Sequence, residues 1–188
     1  MKSIRCSETK ISGVLVLDPP SCHDARGFFF ESYHEKKFAE FGIQDRFVQD
    51  NQSFSRKNVL RGLHYQLKHP QAKLCRVIQG EVLDVAVDIR IGSPTFGQWV
   101  SVRLSAENKR QLYIPKDFAH GFWVLSETAE VLYKCDDFYY QDDEYGIVWN
   151  DPSLGINWES ESPILSAKDL GNPPLSKIPR SALPRYQR

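Results

Sequence analysis

Alternation of apolar and polar residues dominates the middle of this chain. Between Val82 and Arg90, Leu83, Val85, Val87 and Ile89 fall on one face of an extended segment, and Asp84, Ala86, Asp88 and Arg90 fall on the other. A period of two marks a strand with one covered face. Similar patterns predict strands at 13–17, 27–32, 59–66, 73–78, 98–104, 110–114, 121–125, 130–135 and 146–149. Gly92, Pro94, Gly97, Pro115 and Gly121 punctuate them, and Gln79-Gly80-Glu81 reads as a hairpin turn. Short strands at this spacing predict an all-β antiparallel sandwich or barrel. One helix interrupts the pattern. Ser32 is placed to cap 34–41, Phe38 and Phe41 form its apolar edge, and Gly42 ends it. From about residue 159 the chain turns rich in Pro and Ser. That composition predicts a tail of turns and short helices wrapped on the same domain, not a second domain.

Composition narrows the class of protein. With 188 residues, 41% of them hydrophobic, the chain can build one domain with a sizeable core. Lys plus Arg number 24 and Asp plus Glu number 24, so no basic excess points to nucleic acid. The longest apolar run, Gly13 to Leu17, is too short to cross a membrane. The segment Met1-Lys2-Ser3-Ile4-Arg5 lacks the apolar core of a signal peptide, which predicts a cytoplasmic protein. Cys6, Cys22, Cys75 and Cys135 are scattered with no C-x-x-C pair. They read as idle thiols in a reducing compartment, not as a disulfide framework or a zinc knuckle.

The strongest chemical signal is Leu60-Arg61-Gly62-Leu63-His64-Tyr65-Gln66, followed by Lys73. An imidazole can exchange a proton near neutral pH, and an ammonium can hold developing negative charge. Together they suggest carbon-acid chemistry or anion binding. Strand parity puts His64 with Leu60 and Gln66 and sends Arg61 to the other face. Both can line one pocket only if Gly62 breaks the regular strand. His120, between Pro115 and Gly121, is a candidate second pocket group, the alternative being a loop histidine bonded to backbone. Metal ligation is the lesser reading, because His64-Tyr65-Gln66 lacks the second imidazole of an H-x-H pair. Tyr133, taken alone, reads as a core tyrosine with its hydroxyl at the rim. Tyr139 and Tyr140, next to Asp136 and Asp137, read as exposed enough to stack on a planar ligand. Lys168-Asp169 in the tail reads by itself as a solvated pair. Asp84 is either a pocket group or a structural hydrogen-bonder.

Several segments closely resemble the bacterial dTDP-4-dehydrorhamnose 3,5-epimerase family. They are Asp24 to Ser32, Phe47-Val48-Gln49-Asp50-Asn51, Asn58 to His64, Gly80 to Arg90, Ser93 to Trp99, Leu104 to Arg110, Phe118-Ala119-His120-Gly121-Phe122 and Trp149-Asn150-Asp151. The resemblance is dense and collinear over about residues 10 to 172. It implies a cupin-like antiparallel jelly-roll barrel with no metal and no cofactor, acting as a homodimer that exchanges N-terminal strands. It implies a dTDP-4-keto-6-deoxyhexose substrate, with C3 and C5 inverted on either side of the C4 ketone.

By that resemblance His64 matches the base, Asp169 its carboxylate partner, Lys73 the cation beside the C4 oxygen, and Tyr133 the proton donor on the far face. Arg26, Glu31, Gln49, Asp50, Asn51, Arg61, His120, Glu144 and Lys168 match ligand-contacting positions, and Tyr139 matches the aromatic that stacks on thymine. Arg26 and Glu31 would then serve the partner's site. The loop 67–72 is shorter than the family pattern and carries His69-Pro70. It positions Lys73, so it bears on which carbons react. The runner-up function is a single-carbon epimerase, or a keto-isomerase, of another dTDP-deoxysugar. A metal-dependent oxygenase is disfavoured by the missing H-x-H pair. A non-catalytic sugar-nucleotide binder is disfavoured by the presence of both base and acid.

Overall fold

A computed structural model describes residues 3–159 and 162–187. Residues 1–2, 160–161 and 188, which include the start of the N-terminal segment and part of the Pro-rich tail, lie outside the described residues. Strands are numbered in chain order. One antiparallel sheet runs β1 (Arg5–Glu8), β2 (Leu15–Asp18), β10 (Gln111–Ile114), β7 (Lys73–Gln79), β12 (Thr128–Cys135), β5 (Gln49–Arg56). The other runs β13 (Glu144–Gly146), β6 (Leu60–Gln66), β11 (Phe118–Val124), β8 (Glu81–Asp88), β9 (Trp99–Ser105). A small ribbon, β3 (Cys22–Asp24) and β4 (Gly27–Phe29), stands apart from both. The protein is therefore all-β and antiparallel, as the alternating pattern predicts, and has the jelly-roll form that the resemblance implies.

The two sheets face each other across a shared core. Cys75, Val77, Leu112, Ile114 and Val131 from the six-stranded sheet meet Val82, Ala86, Leu104, Phe118 and Phe122 from the five-stranded one. A two-residue period lets each strand place one set of side chains in this layer and the other set outside. β8 shows why the simple in-and-out reading of 82–90 needs correction. Leu83, Val85, Val87 and Ile89 do share a face, but that face points away from the barrel, against Leu154, Trp158, Leu175, Ile178 and Leu183. The opposite face holds Asp84 and Asp88, both fully buried, in the interior. The Pro-rich segment is thus a covering layer. Each large apolar side chain it buries is worth roughly 1.5–3 kcal/mol, which holds an otherwise irregular chain in place.

Other expectations shift for physical reasons. Gln79-Gly80-Glu81 turns tightly, with Gly80 at φ 75°, but it closes no hairpin. β7 belongs to one sheet and β8 to the other, so the turn carries the chain between layers. A Cβ on Gly80 would stand 2.0 Å from the Thr128 carbonyl oxygen. The segment 27–32 shortens to the ribbon 22–24 with 27–29. The first helix, α1 (Glu35–Ala39), is shorter than 34–41. His34, not Ser32, stands at its start, with no side-chain cap. Ser32 instead offers its carbonyl to Gln111 Nε2 at 2.7 Å. Phe38 is fully buried among Leu15, Leu17 and Leu74, as its apolar edge requires, and Gly42 follows at φ 85°. The strand predicted at 121–125 begins at Phe118, and that at 146–149 becomes 144–146. β5 has no counterpart among the predicted strands. Its sequence, Gln49-Asp50-Asn51-Gln52-Ser53-Phe54-Ser55-Arg56, alternates with almost no apolar face, because that face lines a polar cavity.

Candidate active site

The backbone irregularity at Gly62 sets the site. Along the β6–β11 ladder His64 lies opposite His120, while Arg61 lies opposite Phe122, so three steps on β6 match two on β11. This is a bulge, and it brings Arg61 and His64 to the same cavity against strict parity. Gly62 adopts φ 120° and faces Gly121 so closely that a Cβ on Gly62 would lie 2.5 Å from the Gly121 Cα. Only glycine fits the position on both counts. The expected break in the strand is present, at the residue that the parity conflict singles out.

The cavity, about 640 Å³, opens between the sheets. β5 contributes Gln49, Asn51 and Ser53, β6 contributes Arg61, His64 and Gln66, and Lys73, His120 and Tyr133 come from β7, β11 and β12. Tyr139, Glu144, Lys168 and Asp169 complete one wall. Eleven of the fourteen residues that the resemblance marks as site positions line this cavity; Arg26, Glu31 and Asp50 do not.

His64 and Asp169 form a close pair, Nε2 to Oδ1 2.5 Å. Asp169 is 3% exposed, on a short helix α2 (Ala167–Leu170) that Ser166 caps by accepting from the Asp169 N–H at 3.0 Å. The Ser166 hydroxyl also donates to Asp169 Oδ2 at 2.9 Å. Burial acts to raise the Asp169 pKa, but the hydrogen bond and charge of His64, Ser166 and the Gly62 N–H outweigh it and hold the carboxyl below its ordinary value. With Asp169 accepting from one ring nitrogen, the lone pair sits on the other, Nδ1. That atom lies 3.6 Å from Glu144 Oε1, outside hydrogen-bond reach. Glu144 is itself held by the Tyr139 hydroxyl at 2.8 Å and by an ion pair with Lys168. Burial raises its pKa, and Lys168, His64 and Tyr139 lower it further than burial raises it.

Tyr133 and Lys73 face His64 from the other sheet. Tyr133 pairs in register with Asn51 on one side and Cys75 on the other. Burial, reinforced by Cys135 and Cys75, pushes its phenol up to about 12. Lys73 opens β7, and the loop before it is tied down. Gln66 Nε2 donates to the His69 carbonyl at 2.7 Å, the Lys68 and His69 N–H groups donate to Asp143, and the Ala72 N–H donates to Asp136 at 2.7 Å. His69 stacks on Tyr140 with ring centres 4.0 Å apart. The short loop is therefore rigidly anchored. On the cavity floor His120 Nε2 lies 2.8 Å from Oδ1 of the fully buried Asp84, which makes Asp84 the group that orients a pocket histidine. Arg61 donates to Ser55 Oγ at 3.0 Å and to the Phe54 carbonyl at 3.3 Å. Tyr139 stands half exposed at the mouth, its N–H donating to Gln49 Oε1 at 3.0 Å and burial pushing its phenol up to about 12.

Three expected site residues lie elsewhere in the single chain. Asp50 falls on the opposite face of β5 from Gln49 and Asn51, and pairs with Lys134 at 3.0 Å. The strand period that brings its neighbours in sends it out. Arg26 projects from the β3–β4 ribbon, 89% exposed at the side chain, bonded to Asp24 at 2.6 Å. Glu31 pairs with Lys37 at 2.7 Å. Conversely, Ser53, Gln66, Gln71, Asp117 and Ser166 line the cavity without having been singled out. Gln66 shares the His64 face by simple parity. Ser166-Ala167-Lys168-Asp169 has the spacing of a capped helix start, the signal that would have lifted Asp169 out of an apparent surface tail.

A jelly roll in which a histidine–carboxylate pair confronts a tyrosine and a lysine across one cavity has the makings of a carbon-acid epimerase. The comparisons name the family. Residues 8–177 match the sequence profile of dTDP-4-dehydrorhamnose 3,5-epimerase, and the chain belongs to that family. It is 57% identical over 173 residues to the dTDP-4-dehydrorhamnose 3,5-epimerase of Salmonella typhimurium, covering 90% of this chain and 94% of that relative. A crystal structure of dTDP-6-deoxy-D-glucose-3,5-epimerase from Legionella pneumophila, in complex with dTDP-4-keto-L-rhamnose, superposes with a TM-score of 0.96 at 53% identity, over 98% of this chain and 100% of that one. A 3'-monoepimerase from Streptomyces bikiniensis, in complex with dTDP-quinovose, superposes with a TM-score of 0.90 at 35% identity, over 95% of this chain and 92% of that one.

Proposed function

We propose that the protein converts dTDP-4-dehydro-6-deoxy-D-glucose to dTDP-4-dehydro-L-rhamnose by inverting C3 and C5. The observation that carries the mechanism is the placement of His64 and Tyr133 on facing sheets across one cavity, with Lys73 beside Tyr133. His64 takes the proton alpha to the C4 ketone, and the electron pair moves into the carbonyl to form an enolate. Lys73 stabilises the oxygen on which charge develops. Asp169 holds the ring and stabilises the imidazolium. Tyr133 returns a proton to the opposite face of the same carbon, inverting it. His64 then loses its proton and Tyr133 regains one from solvent, which resets both for the second carbon. The sequence is redox-neutral and calls on no cofactor.

The nucleotide half of the substrate is assigned to the rest of the wall. Arg61, His120 and Lys168 supply donors for the diphosphate and nearby oxygens. Tyr139 stacks on thymine, and Gln49, Asn51 and Glu144 supply polar contacts. Arg26 and Glu31 are assigned to the partner's site in a homodimer with exchanged N-terminal strands. Support comes from the β3–β4 ribbon, which leaves Phe28 59% and Phe29 76% exposed and directs Arg26 away from its own cavity. Residues 1–188 are read as one domain, since the Pro-rich segment covers the five-stranded sheet and delivers Asp169. No helix among the described residues is long and apolar enough to cross a membrane, and the four cysteines are free. Free cysteines suit the reducing compartment of a cytoplasmic protein.

Turnover of the substrate in heavy water tests the reading. Deuterium at both C3 and C5 is expected. Label at one carbon alone would favour the second reading, a single-carbon epimerase, which the Streptomyces bikiniensis likeness keeps in view. Absence of label at either carbon would end the carbon-acid mechanism.

A further inference from the structure

Behind His120 lies a cluster whose Cys75 thiol and second Asp84 oxygen have no part in epimerisation. Cys75 on β7, Asp84 on β8 and His120 on β11 each direct one ligand atom into the same space. His120 Nε2 is 2.8 Å from Asp84 Oδ1 and 3.8 Å from Cys75 Sγ, and the three ligand atoms lie within 4.8 Å of one another. Cys75 and Asp84 are fully buried and His120 is 7% exposed. The second carboxylate oxygen, Asp84 Oδ2, is buried and has no hydrogen-bond partner among the described residues. A buried carboxylate oxygen without a donor is an unfilled electrostatic demand, and a cation is one of the few occupants that would meet it.

We propose that Cys75, Asp84 and His120 form an inhibitory site for a divalent transition metal, with Zn²⁺ the best fit. One sulfur, one imidazole nitrogen and one carboxylate oxygen make a zinc donor set. Mg²⁺ and Ca²⁺ would need a shell of oxygens that the cluster lacks. With metal–ligand bonds of about 2.0–2.3 Å, tetrahedral ligands stand roughly 3.3–3.7 Å apart. The sulfur–nitrogen separation is already near that value, and the nitrogen–oxygen pair has to open by about half an ångström. His120 also lines the substrate cavity, so the ion can enter there and keep a fourth position open towards it.

Proton accounting is simple. The Cys75 thiol releases its proton to solvent on binding, and the His120 proton moves from Nε2 to Nδ1 so that the Nε2 lone pair faces the metal. Because β7 belongs to one sheet and β8 and β11 to the other, the ion ties the two sheets together at the cavity floor. Its open fourth position faces the cavity, where water or another ligand on the metal competes with substrate for space. Both effects inhibit.

Cobalt titration of the whole protein tests this without reference to turnover. One equivalent of Co²⁺ is expected to give the near-ultraviolet thiolate-to-cobalt band and the intense visible bands of four-coordinate cobalt, both bleached by Zn²⁺. Zn²⁺ is expected to inhibit reversibly, with EDTA restoring activity. Cys75→Ser should remain active, lose the charge-transfer band and require at least tenfold more zinc for inhibition. If that variant does not fold, Cys75→Val, which keeps the buried position apolar, takes its place. Absence of the thiolate band in the native protein overturns the proposal. So does undiminished zinc sensitivity in a folded Cys75 variant, which would move the metal to His64, Asp169 and Glu144.

Discussion

His64 and His120 are cross-strand neighbours, each paired with an aspartate, yet they are built for different work. The His64 side chain is 27% exposed, and its carboxylate partner comes from the tail, more than a hundred residues along the chain. The His120 side chain is 7% exposed, and its partner Asp84 comes from the adjacent strand and is fully buried. A base must present a lone pair to substrate and pass the captured proton on to water. His64 meets both needs because Asp169 engages one ring nitrogen and the cavity receives the other. His120 has its Nε2 directed into the protein, towards Asp84 and Cys75, so it suits holding and positioning. Both carboxylates take Nε2, so what suits one histidine to proton transfer and the other to support is how much of the remaining ring the cavity and solvent reach.

The sharpest way to break that contrast is to remove each imidazole in turn. His64→Ala is expected to lower kcat by about 10³–10⁴, the range of a general base, and to abolish solvent deuterium exchange at both carbons. His120→Ala should act mainly through KM. Equal loss of kcat in the two variants would erase the distinction. Next in size, Tyr133→Phe is expected to reduce net inversion about 10²-fold while proton removal by His64 continues, so exchange should outpace epimerisation in an NMR assay. Because the Tyr133 phenol is pushed up to about 12, it stays protonated through neutral and mildly alkaline pH. No alkaline loss of activity from this group is expected below about pH 11, which a pH–rate profile of the wild type checks.

Smaller effects test the scaffold around the pair. Gly62→Ala forces a Cβ to within 2.5 Å of the Gly121 Cα in a left-handed backbone conformation. A loss of about 2–4 kcal/mol in urea unfolding is expected, with activity per folded molecule also reduced because Arg61 and His64 no longer share a wall. Wild-type stability with full activity would show that the bulge is dispensable. Last, acid titration tests the two carboxylates around His64. The Asp169 and Glu144 carboxyls are held below their ordinary values of 3.8 and 4.5, so their ionised forms are favoured in the folded state. That stability is complete above those ordinary values and is lost as pH falls through the depressed native ones. Asp169→Asn should flatten the acid limb of a stability–pH curve, and an unchanged limb would count against the His64–Asp169 coupling.

The resemblance placed His64, Lys73 and Tyr133 in one site, and local pattern explains part of that legibility. β6, β7 and β12 are rich in β-branched, aromatic and other apolar residues, so the ranges read for them lie close to those observed. The Gly62 break was also legible, since Arg61 and His64 could not otherwise meet. β5 was not, because a strand that lines a wet cavity has no apolar stripe to reveal it. Neither was the capture of Asp169 legible from the tail's composition, since its partner lies on another strand. Asp50 shows the converse: the resemblance matches Gln49-Asp50-Asn51 as a run, whereas strand geometry admits only Gln49 and Asn51 to the cavity.

What the sequence determined by itself was the all-β class, most strand positions, and His64 and Lys73 as candidates for proton transfer and charge stabilisation. These depend on short-range periodicity and on side-chain chemistry, which the order of residues carries directly. The resemblance implied that Asp169 backs His64; only the tertiary structure decided that the apolar face of β8 belongs to the tail, that Asp84 orients His120 and that Cys75 joins them. Each depends on which strands and segments become neighbours. That is settled by packing two sheets and a covering chain together, and no local pattern records it.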